Sequence, residues 1–367
     1  MDLMYQKYAH LLVNYCLEMK PGDRLVVRST YQAEKLLQKL SEEVYKAGGQ
    51  VEYILSFQEQ ERIHFEHAEG KQLDYVSPFL NHAIENFESY LYIQSPFNLN
   101  NTKGVNGEKT KRSKVAKKDM MSIYSQRTAT RDLKRSLCVF PCNALAQMAG
   151  MSLSEYEKFV FNACKLYADD PAAEWLKLRA EQQIIVDHLN KAEKVQYKNN
   201  QGTDIVFSTK GRTWINSDGR TNMPSGEVYT SPVETSVNGE IHFNMPSLYM
   251  SQEVRDVTLE VKEGEVVRWN AKSGKEVLDE VFLMPGAKMF GEAAIGTNYN
   301  IQTITKNTLF DEKMGGTVHM ALGQSYLQTG GKNQSPVHWD LITEMKDGGE
   351  IYADDELIYK NGKFLID

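Results

Sequence analysis

Three carboxylates and two imidazoles sit in the second half of this chain in settings that suit metal chemistry. They are Glu227 after Pro224-Ser-Gly226, Glu292 within Gly291-Glu-Ala-Ala-Ile-Gly296, His319 within Thr317-Val-His-Met-Ala-Leu322, and the pair His338-Trp-Asp340. Carboxylate oxygen and imidazole nitrogen are the donors that divalent cations take. Side chains alternate faces along a strand, so His338 and Asp340 would project together while Val337, Trp339 and Leu341 face the other way. The same alternation sets His319 opposite Val318, Met320 and Leu322. Small residues around Glu292 would allow close packing about an ion, although an exposed loop tolerates them equally. Taken singly, each group has a plainer reading: a solvated glutamate, a core histidine, a surface polar pair. Asp311 and Glu312, just upstream of His319, add two further carboxylates.

Positioning such groups requires strands, and the chain supplies two kinds of segment. Leu12, Tyr15, Cys16 and Met19 recur at helical spacing, and Pro21-Gly22-Asp23 ends that run. Arg24–Arg28 reads as a strand, Ala33 to Val44 as an amphipathic helix stopping at Gly48-Gly49, and Val51–Ser56 as a second strand. Strand, helix and strand at these lengths make a parallel βαβ unit. Residues 90–94 read as a further strand of that sheet. No Gly-x-Gly-x-x-Gly follows any of them, which argues against a dinucleotide site. Ser152-Leu-Ser-Glu155 is a capping box, and Asp170-Pro171 starts a long helix that reads as a connector. Beyond residue 194 short β-rich runs alternate with glycine turns, and Val257–Trp269 reads as a hairpin turning at Glu263-Gly264. The expected fold is α/β. An N-terminal domain (1–190) has an open, mostly parallel sheet flanked by helices. A C-terminal α+β domain (191–367) has mainly antiparallel sheet and carries the metal site.

Composition narrows the function. A chain of 367 residues is long for one core, and 41% hydrophobic with 25% charged residues is ordinary for a globular protein. A formal net charge of −7 argues against nucleic-acid and anionic-membrane partners. Residues 103–118 are locally basic but carry no interleaved aromatics, so they read as a solvated loop and helix. The opening residues show no basic-then-apolar leader and no apolar run is long enough to span a bilayer, so the expected location is cytoplasmic. Cys16, Cys138, Cys142 and Cys164 read as buried thiols, and no Gly-x-Ser-x-Gly elbow supports a serine nucleophile. Glu61, His64, Glu66 and His67 form a second conceivable ligand group, with a charged surface helix as the plainer reading.

Wording along the whole chain resembles the M29 family of metallo-aminopeptidases, the thermophilic metalloproteases. The resemblance is carried by Asn222-Met-Pro-Ser-Gly-Glu-Val228 and its approach through Gly202-Thr-Asp204 and Gly211-Arg-Thr-Trp214. It continues through Asn143-Ala-Leu-Ala-Gln-Met148, Asn307-Thr-Leu-Phe-Asp-Glu312, Ala321-Leu-Gly323 with Tyr326, and His338-x-Asp340. It implies that Glu227, Glu292, Glu312, His319, His338 and Asp340 hold two divalent ions (zinc, cobalt or manganese). It further implies hydrolysis of the N-terminal residue from peptides with a free N-terminus through a dinuclear metal-bound hydroxide, and a homodimer. Tyr326, Glu292 and Glu312 would be the catalytic residues, Tyr326 steadying the oxyanion and Glu312 serving as ligand or proton shuttle. The alternatives are another metal-dependent peptidase or amidohydrolase, and a non-catalytic metal-binding homologue. Two departures stand out. Lys-Met-Gly-Gly-Thr-Val between Glu312 and His319 is longer than the family spacing, which makes Glu312 the least secure ligand. The segment from Tyr326 to His338 is shortened.

Overall fold

The structure, a computed structural model, describes residues 2–250 and 252–366 in two compact units. The first unit runs through Ala172 and takes in Gly219–Met223 as well. Its sheet is wholly parallel, with spatial order Gln50–Ser56, Arg24–Thr30, Ser89–Gln94, Lys134–Val139 and Asn222–Met223. Strand Arg24–Thr30 buries Leu25, Val26 and Val27 in succession, as a parallel strand covered on both faces must. Helix Glu34–Lys46 lays Leu36, Leu37, Leu40 and Val44 on the buried side. All four cysteines are buried thiols. The basic stretch folds into helices Gly107–Ala116 and Lys118–Ala129, where Lys109 pairs with Glu69 and Arg112 with Asp74.

The second unit comprises Ala173–Asp218 and the chain from Pro224 onward. The break falls after Ala172, so most of helix Pro171–Leu189 packs with this unit, burying Trp175, Leu178, Ile185 and Leu189. A nine-stranded sheet contains the expected hairpin, Gln252–Lys262 against Glu265–Ser273. A five-stranded antiparallel sheet has the order His338–Glu344, Thr317–Gly323, Phe290–Gly296, Glu227–Thr230 and Ile215–Ser217. The expected α/β class, a parallel sheet followed by antiparallel ones, is the class observed. No described helix is long and apolar enough to cross a membrane.

The two faces of the five-stranded sheet differ sharply. Val228, Ala293, Ile295, Val318, Met320, Leu322, Trp339 and Leu341 all point into a hydrophobic core of this unit. On the other face Glu292 lies opposite Ala321, which lies opposite Asp340. The next row is Tyr229, Ala294, His319 and Ile342, and the row beyond pairs Glu227 with Gly296. Alanine and glycine therefore fill the positions between the polar side chains and leave them room. A Cβ added at Gly296 would meet the Met314 carbonyl and the Thr317 hydroxyl. Gly296→Ala is expected to cost about 1–3 kcal/mol through overpacking, lowering the urea midpoint. Gly107→Ala, which meets nothing within 4 Å, should leave that midpoint unchanged.

Candidate metal centre

Cross-strand register brings together residues that are more than a hundred positions apart. His319 Nε2 lies 3.6 Å from Glu227 Oε2 and 3.7 Å from Glu292 Oε1. His338 Nε2 lies 3.2 Å from Glu292 Oε2 and 3.6 Å from Asp340 Oδ1. Glu292 thus offers one oxygen to each histidine. Three ligand groups result, Glu227-Glu292-His319, Glu292-His338-Asp340 and Glu312-His319-Asp340, with donor atoms in each group within 4.8 Å of one another. Glu227, Glu292, His319 and Asp340 are buried and His338 is half-buried.

Supporting contacts hold these groups in place. His338 Nδ1 is 2.9 Å from the Gln324 carbonyl, and a carbonyl only accepts, so Nδ1 carries the proton. Nε2 is thereby aimed at Glu292 and Asp340, the arrangement in which a histidine presents a lone pair to a cation. Gln182, fully buried on helix Pro171–Leu189, donates to the backbone carbonyls of Glu227 and Ser217 and accepts from Thr297. It fixes the start of the Glu227 strand. The Tyr326 hydroxyl is 3.2 Å from His338 Nε2, and its ring packs edge-on against Tyr229.

The electrostatics are those of a crowded acidic cluster. Burial alone would raise the Glu292 carboxyl, but His319 and His338 outweigh it and bring the pKa down to about 2. Burial alone would lower His319, and Glu292 and Glu227 instead lift it to about 9. His338 rises in the same way to about 10, against burial, through Asp340 and Glu292. Asp340 is pushed up to about 6 by burial and by its like-charged neighbours Glu312 and Glu292. Burial also raises Glu312. Several buried polar atoms nevertheless have no hydrogen-bond partner: Glu227 Oε2, both ring nitrogens of His319, and Asp340 Oδ1. Orphaned carboxylate and imidazole atoms converging on one space are the donor set a divalent cation requires. The residues fit the group.

All six expected ligands and Tyr326 converge. Asp311 does not join them. Its carboxylate accepts from the Thr305 amide and hydroxyl, closing a turn, and burial lifts its pKa to about 7. Glu61, His64, Glu66 and His67 lie exposed on helix Gln60–His67 and form no ligand group among the described residues. Sequence reasoning missed Lys313. Its side chain is only 1% exposed, and its ammonium sits 2.8 Å from Glu227 Oε1 and in contact with Glu312 Oε1. Burial would lower its pKa, but the two glutamates reverse that and raise it. The available signal was its place in the chain, next to the candidate ligand Glu312 and six residues before His319. Tyr229 and Gln182 were missed too, for neither stands in a motif with chemistry of its own.

The chain is similar to known proteins over nearly its whole length. The sequence profile of the thermophilic metalloprotease family, M29, matches residues 2–364. The chain is 27% identical to Aminopeptidase 2 of Geobacillus stearothermophilus, over 92% of this chain and 90% of that protein. It is 26% identical to Aminopeptidase PepS of Streptococcus thermophilus, over 98% of both. The fold matches wild-type AmpT from Thermus thermophilus with a TM-score of 0.84, at 20% identity and over 99% of each chain.

A cation that binds the folded cluster and not the unfolded chain stabilises by mass action, by about 2.7 kcal/mol at a hundredfold excess over Kd. Adding zinc, cobalt or manganese to chelator-treated protein should therefore raise Tm in a concentration-dependent way. Asp340→Asn should shrink that rise, as differential scanning calorimetry would register.

Proposed function

The chain belongs to the M29 family of thermophilic metalloproteases, and on that premise we propose that it is a metal-dependent aminopeptidase acting on peptides with a free N-terminus. The observation that carries the reading is Glu292, shared between two histidine-bearing ligand groups on the polar face of one sheet. Glu227, Glu292, Glu312, His319, His338 and Asp340 are the residues that would hold divalent metal. When bound there, a divalent cation supplies Lewis acidity for a peptide carbonyl and activates water near neutral pH.

The remaining work falls to the chain's own groups. The Gln324 carbonyl keeps the His338 ring turned toward Glu292 and Asp340. Tyr326, at the half-buried edge of the cluster beside His338, is positioned to donate its hydroxyl proton to an oxyanion developing on the substrate carbonyl. Tyr229 braces the Tyr326 ring, limiting how far that hydroxyl swings. Glu312, buried beside the Lys313 ammonium, is the candidate carrier of a proton to the leaving amine. Selection of a free N-terminus follows from the buried excess of carboxylate, which favours a positively charged α-amine over a neutral blocked one.

Two measurements test this. Protein loaded separately with zinc, cobalt and manganese should hydrolyse amino-acid arylamides and leave their N-acetylated counterparts intact. Cleavage of the blocked substrates would point instead to a broader amidohydrolase. Glu292→Gln, His319→Ala and Asp340→Ala should each abolish turnover with the circular dichroism spectrum unchanged. Tyr326→Phe should lower kcat by about 10²–10³-fold, the usual cost of an oxyanion donor, while leaving metal content as it was.

A further inference from the structure

Lys313 reaches the ligand cluster because the backbone on either side of it is pinned. The Asn298 amide donates to the Lys313 carbonyl at 2.9 Å, and the Gly315 amide donates back to the Asn298 carbonyl at 2.9 Å. Asn298 is itself tied through its side-chain amide to the Ser225 carbonyl. The stretch Lys-Met-Gly-Gly-Thr-Val thus turns one side chain inward. That side chain is one of the bulkiest fully buried groups of the protein.

Its ion pairs divide the three ligand groups. Glu227 belongs to one group and Glu312 to another, and each gives an oxygen to the Lys313 ammonium. A second dication placed on those carboxylates would face an adjacent fixed positive charge in a medium that screens it poorly. The third group, Glu292-His338-Asp340, contains no residue held by the lysine. It also includes the half-buried His338, whereas His319 is wholly enclosed.

Resting on the metal-dependent reading above, we propose that the Lys313 ammonium stands in place of one of the two cations, so that each chain binds a single divalent ion at Glu292, His338 and Asp340. The two ions implied by family resemblance are then reduced to one ion and one built-in monocation. Glu227 Oε2 and His319 Nε2, 3.6 Å apart and neither with a hydrogen-bond partner, are the donors that a second ion would recruit once the lysine is gone.

The test is a metal count on the intact protein. Chelator-treated protein is dialysed against excess zinc, then against metal-free buffer, and zinc per chain is measured by inductively coupled plasma mass spectrometry. The expected result is one ion in the natural protein, one in Lys313→Arg, and two in Lys313→Met. Lys313→Gln serves as a second neutral variant should the methionine fail to fold. Cobalt-loaded natural protein should show the electron paramagnetic signal of isolated high-spin ions, with no coupling between centres. Two ions in the natural protein would overturn the substitution while leaving the aminopeptidase reading in place. No ion at all would remove the metal-dependent reading itself. One ion in a folded neutral variant would show that Lys313 is not what excludes the second. Should neither neutral variant fold, the count on the natural protein decides alone.

Discussion

Four carboxylates, from Glu227, Glu292, Glu312 and Asp340, crowd one largely buried space, and their mutual repulsion has to be balanced by positive charge. Much of the second unit can be understood from that requirement. Lys313 supplies one charge permanently. In the absence of metal the histidines lean toward their imidazolium forms, because each faces carboxylates at 3.2–3.7 Å. A divalent ion offers more charge in less volume, and orphaned atoms on Glu227, His319 and Asp340 are the places where the protein's own cations leave the balance incomplete.

The sheet meets this demand by separating two jobs by face. One face is largely hydrocarbon, broken by Thr230 and Thr343, and its anchoring in the core of the unit fixes the register. The other alternates functional side chains with Ala294, Gly296 and Ala321. A one-residue slip between strands Phe290–Gly296 and Thr317–Gly323 would send Glu292 or His319 into the hydrocarbon. Core packing and ligand placement therefore stand or fall together.

Much of this was readable from the amino-acid order. The period-two alternation around His319 and across His338-Trp-Asp340 reports a strand with one apolar face, because burial on that face dictates it. The parallel sheet of the first unit follows from strand, amphipathic helix and strand at ordinary lengths. Less legible was which carboxylates enter the cluster. Asp311 and Glu312 are neighbours with similar chemistry, yet one closes a local turn with Thr305 and the other faces the histidines. That choice depends on how a helix ends at Asp311, which no spacing rule encodes. Lys313 was hidden for a related reason. A lysine beside a glutamate ordinarily faces solvent, and only the pairing of its backbone with Asn298 turns it inward.

Gln182 ties the Glu227 backbone to a helix that begins more than fifty residues earlier, and the candidate ligands other than Glu312 come from four strands whose pairing closes long loops. No fragment of the chain can preassemble the cluster, so ion capture must follow the late, slow steps of sheet closure. Once the strands have zipped, the route out for a captured ion is the route in. Retention then becomes a matter of barrier height rather than affinity alone, and the pace at which a chelator would strip the folded protein is set by how freely the half-exposed side of the cluster at His338 opens.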